Sequence, residues 1–212
     1  MMAGLRERKK EQTRRRIAET ALRLFAERGY DAVTVNEIAE AAGVAKVTLF
    51  AYFPGKECLV LDGVQEDPAA IVAGRDPGRS PIGALREHYR AMAARGAREV
   101  DVEGLLTRVR VIAATPALLA AVQQTHAGER YELAAALAGE AGGPADDLTA
   151  QLMAAQITGA ITALQEAFFH RLASGTPLEE AGRLLAGDVE TAFDLLEYGF
   201  SSIKGENREK RD

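Results

Sequence analysis

The chain has 212 residues, 47% of them hydrophobic and 27% charged, enough to bury a substantial core in one or two domains. Its first ten residues carry Arg6, Arg8, Lys9 and Lys10 but lead into no apolar segment. No later run approaches about 18 uninterrupted apolar residues, so neither an export signal nor a membrane span is expected and the chain reads as cytoplasmic. The single cysteine, Cys58, excludes an internal disulfide and a multi-cysteine metal site, and no metal or cofactor is expected.

The formal net charge of −5 conceals an uneven distribution, because residues 1–56 hold eleven Lys/Arg against seven Asp/Glu, a balance of +4 that leaves −9 for residues 57–212. A basic head attracts phosphate while an acidic body limits non-specific adhesion, although a solvated charged helix gives the same count.

In chain order, a basic arm over residues 1–10 precedes a first helix whose apolar stripe is Ile17, Ala21, Leu24 and Phe25; Gly29 stands where a left-handed C-terminal cap belongs. The stretch from Val33 to Phe53 follows. Thr34 and Glu37 have the spacing of a capping box, with Val33 and Ile38 at the staple positions. Ala39 is small where a second helix must cross closely, Gly43 supplies the backbone of a tight inter-helix turn, and Val44 fills the angle between the helices.

From Lys46 to Phe53 a second short helix is expected, with Leu49 and Phe53 on one face and Lys46, Val47, Thr48 and Ala51 facing largely away. A helix of this size fits a major groove, where Thr48 bonds a base edge or phosphate and the methyls of Val47 or Ala51 touch thymine. Lys46, Lys56 and the Tyr52 hydroxyl are placed to hold phosphates, and Thr34 at a helix start offers another contact.

The run from Phe25 to Tyr30, then Thr34 to Val44, then Thr48 to Glu57 resembles the DNA-binding signature of the TetR family. It spans roughly the first quarter of the chain and combines many fixed spacings. The resemblance implies an all-α fold, with an N-terminal three-helix helix-turn-helix domain over residues 11–57 and a helical ligand-binding and dimerisation domain over 58–203. It also implies a homodimer bound to a palindromic double-stranded operator, acting as a repressor and released by a small-molecule effector. Two positions depart from the family pattern: Ala45 stands where a capping Ser or Thr is usual, and Phe50 where a Tyr would contact phosphate. Phe50 still packs against sugar or methyl groups and stays among the candidate DNA contacts.

Further along, Asp67-Pro68 and the stretch from Gly74 to Pro81 break the chain. Ser80-Pro81, Thr115-Pro116 and Thr176-Pro177 read as hydroxyl caps followed by proline at the first helical position, and Glu179 completes a capping box with Thr176. Gly142-Gly143-Pro144 with Asp146-Asp147 separates two more helical stretches. About nine helices and no sheet are expected, ending in a disordered polar tail over 204–212.

The last two helices are apolar on more than one face. Ile161, Leu164 and Phe168 on the first and Leu185, Val189 and Leu196 on the second are the expected dimer interface, while Ala155, Gly159 and Ala163 leave another side narrow. Tyr89, Arg108, His126, Gln156 and Phe168 are the candidate lining of an effector pocket. Against an enzyme stand the absence of HExxH, P-loop and nucleophile-elbow motifs and the scatter of three histidines. A ligand-independent or architectural DNA-binding protein is the other alternative, and activation remains open beside repression.

Overall fold

Apolar residues recurring at three- and four-residue intervals, with glycine and Asp-Pro or Ser-Pro breaks between them, close into ten helices among the described residues of the computed structural model. It describes residues 2–62, 67–95, 101–144 and 146–199; the expected tail over 204–212 lies outside them. In order these are α1 (Met2–Arg28), α2 (Val35–Ala41), α3 (Lys46–Tyr52), α4 (Cys58–Leu61), α5 (Pro68–Ala73), α6 (Pro81–Arg95), α7 (Val102–Ala113), α8 (Pro116–Glu140), α9 (Leu148–Ala173) and α10 (Leu178–Tyr198). Among the described residues there is no strand, and no single helix is long and apolar enough to cross a membrane.

The chain forms two compact units, Met1–Glu66 with Asp101–Gln124 and Asp67–Val100 with Thr125–Asp212. In the first, α1 packs on α2, α4 and α7. Its core joins Ile17, Ala21 and Phe25 of α1 to Ile38, Leu49, Phe53, Leu59 and Val60, and also to Val111 and Leu118. The helix-turn-helix core therefore extends well past residue 57.

In the second unit α6 lies against α5 and α10, and α10 against α9. Tyr89, Leu133, Ile157, Val189 and Phe193 are at most 1% exposed in its core. Charge adds to the α6–α10 contact. Arg90 places both arms of its fork on Glu190 at 2.7 Å, and Arg86 reaches Asp194 at 2.6 Å and Glu197 at 3.3 Å.

Helix starts follow local chemistry with two corrections. Asp67, Asp101 and Asp147 cap α5, α7 and α9 by accepting from Ala70, Gly104 and Thr149 amides at 2.8, 3.1 and 3.0 Å, and the Ser80 hydroxyl accepts from Gly83 at 3.1 Å. The expected capping box at Thr176 does not form. Thr176 is used to close α9, its amide donating to the Arg171 carbonyl at 3.0 Å, so α10 begins one residue later with Pro177 at the cap. The Thr115 hydroxyl does not cap α8 either. It is buried and donates back to the Val111 carbonyl at 2.8 Å, the acceptor within reach one turn upstream.

Candidate nucleic-acid interface

Two seven-residue helices, α2 and α3, carry the site, and each is too short to hold itself together without help. α2 is fixed by its capping box: the Glu37 amide donates to the Thr34 hydroxyl at 3.3 Å, and the Thr34 amide donates to the Glu37 carboxylate at 2.8 Å. Arg28, at the end of α1, donates to the same carboxylate at 2.7 Å. The Thr34 amide, the Thr34 hydroxyl and the Arg28 guanidinium together hold the Glu37 carboxyl down at about 2. Thr34 is thus exposed at the helix start, with its hydroxyl already engaged by Glu37.

Gly43 closes the corner. Its φ of 64° is a left-handed backbone that a side chain would strain, and the Val44 amide turns back onto the Ala39 carbonyl at 2.9 Å in a Schellman arrangement. Ile38 and Ala39 are buried beneath it.

α3 presents two faces. Leu49, and Phe53 just after the helix, are fully buried in the first unit's core. Outward, Val47 is 76% and Phe50 41% exposed, Lys46 and Ala51 are also exposed, and Thr48 and Tyr52 are half-buried. Val47 and Phe50, three residues apart, share this outward face. The Lys46 ammonium lies 5.9 Å from the Phe50 ring centroid, which gathers charge and apolar surface on one ridge. Ala45 holds the extended cap conformation but offers no side-chain acceptor, as expected from its missing hydroxyl.

Lys56, expected at the phosphate surface, is turned inward. Its ammonium donates to the Tyr30 carbonyl and sits 4.1 Å from the Tyr30 ring centroid and 5.5 Å from that of Phe25. A carbonyl and two aromatic faces compete with water for the charge, and burial pushes this ammonium below its ordinary value despite Asp31 and Glu37 nearby. Burial, with Glu57 and Asp31 adding, pushes the Tyr30 phenol up to about 12.

Arg14 escaped the sequence reading. From α1 it grips the Asp62 carboxylate, with Nε at 3.0 Å, donates to the Tyr52 carbonyl at 3.3 Å, and stacks 4.9 Å from the Phe53 ring centroid. It therefore ties the end of α3 to α1 and to the end of α4. Partners 38 and 48 residues away leave no local spacing to detect.

The candidate pocket residues do not converge. Arg108 belongs to the first unit, where its guanidinium donates to the Asp62 carbonyl and burial lowers its pKa. Tyr89 is core, 6.2 Å from Phe193 between ring centroids; Phe168 is half-buried beside Phe169, His126 is half-buried and Gln156 exposed. None of them lines the cleft of about 210 Å³ between α8 and α9, whose walls include Arg130, Tyr131, Leu148 and Leu152.

The expected dimer residues are also corrected. Ile161, Leu164, Leu185 and Val189 lie inside the second unit's own core, at 7%, 6%, 6% and 0% exposure, and Phe168 and Leu196 pack half-buried against it. These large apolar stripes are consumed by α9 packing on α10 and α10 on α6, which leaves the opposite faces of both helices outward.

A packed helix, a glycine corner and a second helix with one face in the core and an apolar, cationic face in water define a helix-turn-helix transcription regulator. Residues 17–62 match the model described as bacterial regulatory proteins, tetR family, and residues 79–201 the model of the MftR C-terminal domain. The chain belongs to the TetR family.

It is similar to the putative mycofactocin biosynthesis transcriptional regulator MftR of Mycobacterium tuberculosis, with 32% identity over 92% of this chain and 95% of that protein. It is also similar to the transcriptional regulator TcmR of Streptomyces glaucescens, with 33% identity over 68% and 67%. Its fold is similar to that of native NalD of Pseudomonas aeruginosa, at a TM-score of 0.52 and 20% identity over 89% of this chain and 96% of that one. The protein is a DNA-binding transcriptional regulator rather than an enzyme.

Proposed function

We propose that the protein is a homodimeric cytoplasmic repressor that sets two copies of α3 into successive major grooves of an inverted-repeat operator and leaves it when a small molecule binds. The observation that carries the DNA contact is the split of α3 into a buried face, Leu49 with Phe53, and an exposed one, Lys46, Val47, Phe50 and Ala51. In this reading Thr48, Val47 and Ala51 address base edges, and Lys46, Tyr52 and Thr34 hold phosphates. Lys56 acts one step back, fixing the turn after α1.

Dimerisation is supported by the outward faces of α9 and α10. On α9 these are Leu152, Ala155, Gly159 and Ala163, and Leu152 is 54% exposed. On α10 a charge-free line runs through Leu184, Gly187, Thr191, Leu195 and Tyr198. Glycine inside a helix costs about 1 kcal/mol relative to alanine. At Gly159 and Gly187 a Cβ would meet nothing within 4 Å, so no contact among the described residues requires them. Close approach by a second copy accounts for both. A two-fold protein then matches a palindromic site, and an effector that favours a different spacing of the two heads weakens operator binding by linkage.

Footprinting on the DNA flanking the protein's own gene tests the reading. The expected result is a protected inverted repeat, abolished at lower salt in Lys46→Ala than in the parent and relaxed in sequence preference in Thr48→Ala. A metabolite library titrated against the preformed complex then seeks release. Failure to find any protected repeat overturns the DNA reading, a ridge variant with unchanged binding overturns the role given to α3, and release by no compound overturns the effector part alone.

A further inference from the structure

α1 is 27 residues long, and it runs exposed for the two turns before Thr13. Every residue from Arg6 to Gln12 is exposed, and the helix first meets the core at Thr13, Arg14 and Ile17. Two turns of helix that bury nothing gain no stability from packing, so their composition answers to another demand.

That composition is sorted by face. At about 100° per residue, Arg6, Lys9, Lys10, Thr13 and Arg16 fall within about a third of the helix circumference. Glu7, Glu11 and Glu19 fall on the opposite side together with Arg8 and Arg15, and Arg15 is paired with Glu19 at 2.7 Å. Among the described residues Arg6, Lys9 and Arg16 meet no carboxylate within ion-pair distance. Lys10 approaches Glu7 only at 3.9 Å, with both side chains more than 60% exposed.

The position of this face is set by Arg14, whose bond to the Tyr52 carbonyl holds α1 beside the end of α3. Arg6 lies eight residues further along, about 12 Å at 1.5 Å per residue. This equals roughly three to four base-pair steps of a duplex.

From this geometry we propose that the free N-terminal turns of α1 are a second DNA contact, in which Arg6, Lys9, Lys10 and Arg16 bind backbone phosphates flanking the base pairs addressed by α3. The occupant follows from charge: a helix face with cations, one hydroxyl and no carboxylate suits a polyanion and offers little to an apolar partner. The proposal rests on the DNA-binding reading of the protein but not on any particular residue of α3.

The test uses the full-length protein and the operator duplex located by footprinting, with fluorescence anisotropy across a salt series. The variant Arg6→Gln/Lys9→Gln/Lys10→Gln keeps helix propensity and touches no core residue. At 0.1 M salt each phosphate left without its cation lowers affinity about eightfold and flattens the slope of log K against log salt by about 0.9. Trimming four base pairs from each flank should weaken the parent more than the variant, which keeps only Arg16 of the four cations. Equal affinity and slope for parent and variant on the long duplex overturns the proposal. A Lys46→Ala protein measured alongside separates the two contacts: if it alone is insensitive, the ridge on α3 is at fault and the α1 contact stands.

Discussion

Ala45 gives α3 an unusual opportunity for a quantitative test, because α2 beside it is a control of identical length. Both helices have seven residues and both N-cap residues are extended, Thr34 at φ −95°, ψ 155° and Ala45 at φ −69°, ψ 147°. Only Thr34 supplies a side-chain acceptor. Ala45 is exposed, so in Ala45→Ser the added hydroxyl displaces nothing and finds the first-turn amides of α3 in the orientation a cap requires. A serine cap in place of alanine contributes about 1 kcal/mol.

One kcal/mol added to the opening of α3 slows exchange of amides protected only by that opening about fivefold. Native-state hydrogen exchange at Leu49 and Phe53, whose amides bond to the Ala45 and Leu49 carbonyls at 3.0 and 2.9 Å, reads this directly. Thr34→Ala should produce the opposite change in α2, and a larger one, because Glu37 then loses the hydroxyl it also accepts from at 2.7 Å. Unchanged or faster exchange in Ala45→Ser would refute the inference that α3 is limited by its missing cap.

Three further outcomes follow from the same structure. Glu37 is ionised far below its ordinary range when folded, so its pairing with Thr34 and Arg28 stabilises the head at pH values above about 4.5 and is lost as pH falls toward about 2; in an acid titration Glu37→Gln should flatten the loss of helix-turn-helix stability across this window, and an unaltered profile counts against the cap's role. Gly159→Leu with Gly187→Leu should yield a folded, helical monomer by light scattering, whereas Ile161→Ala should cost roughly 2–5 kcal/mol in denaturant unfolding; a dimer that survives the leucines excludes these faces from the interface.

What could be read from the sequence divides by range of interaction. The Thr34–Glu37 box, the Gly43 corner and the inward pair Leu49 and Phe53 depend on residues three to five apart, and all three form. Thr176 had the same local spacing and failed, because the preceding helix claimed it for its own closure. Lys56 illustrates the longer range: exposed cations beside a motif suggest phosphate, and only the tertiary fold brings the Tyr30 carbonyl and two rings to its ammonium. The stripes of α9 and α10 failed for a different reason. Periodicity reports that Ile161 and Val189 are buried but not against what, and the largest apolar stripe is taken by the chain's own core before any partner arrives.

The same distinction bears on how the DNA-binding half is built. The motif ends near residue 57, yet Val111 and Leu118 complete the core that supports α3, and Asp62 receives Arg14 of α1 on its carboxylate and Arg108 of α7 on its carbonyl. Asp62 is thereby held from two sides, its carboxylate by the α1 guanidinium and its carbonyl by the α7 guanidinium. α7 is consequently part of the body that orients α3 rather than a neighbour joined by a linker. A displacement of α7 has to be followed by Asp62, and through Arg14 by the Tyr52 carbonyl at the end of α3, or it must break a charged contact first. That requirement gives the regulator a route by which a change outside the motif alters the pose of α3.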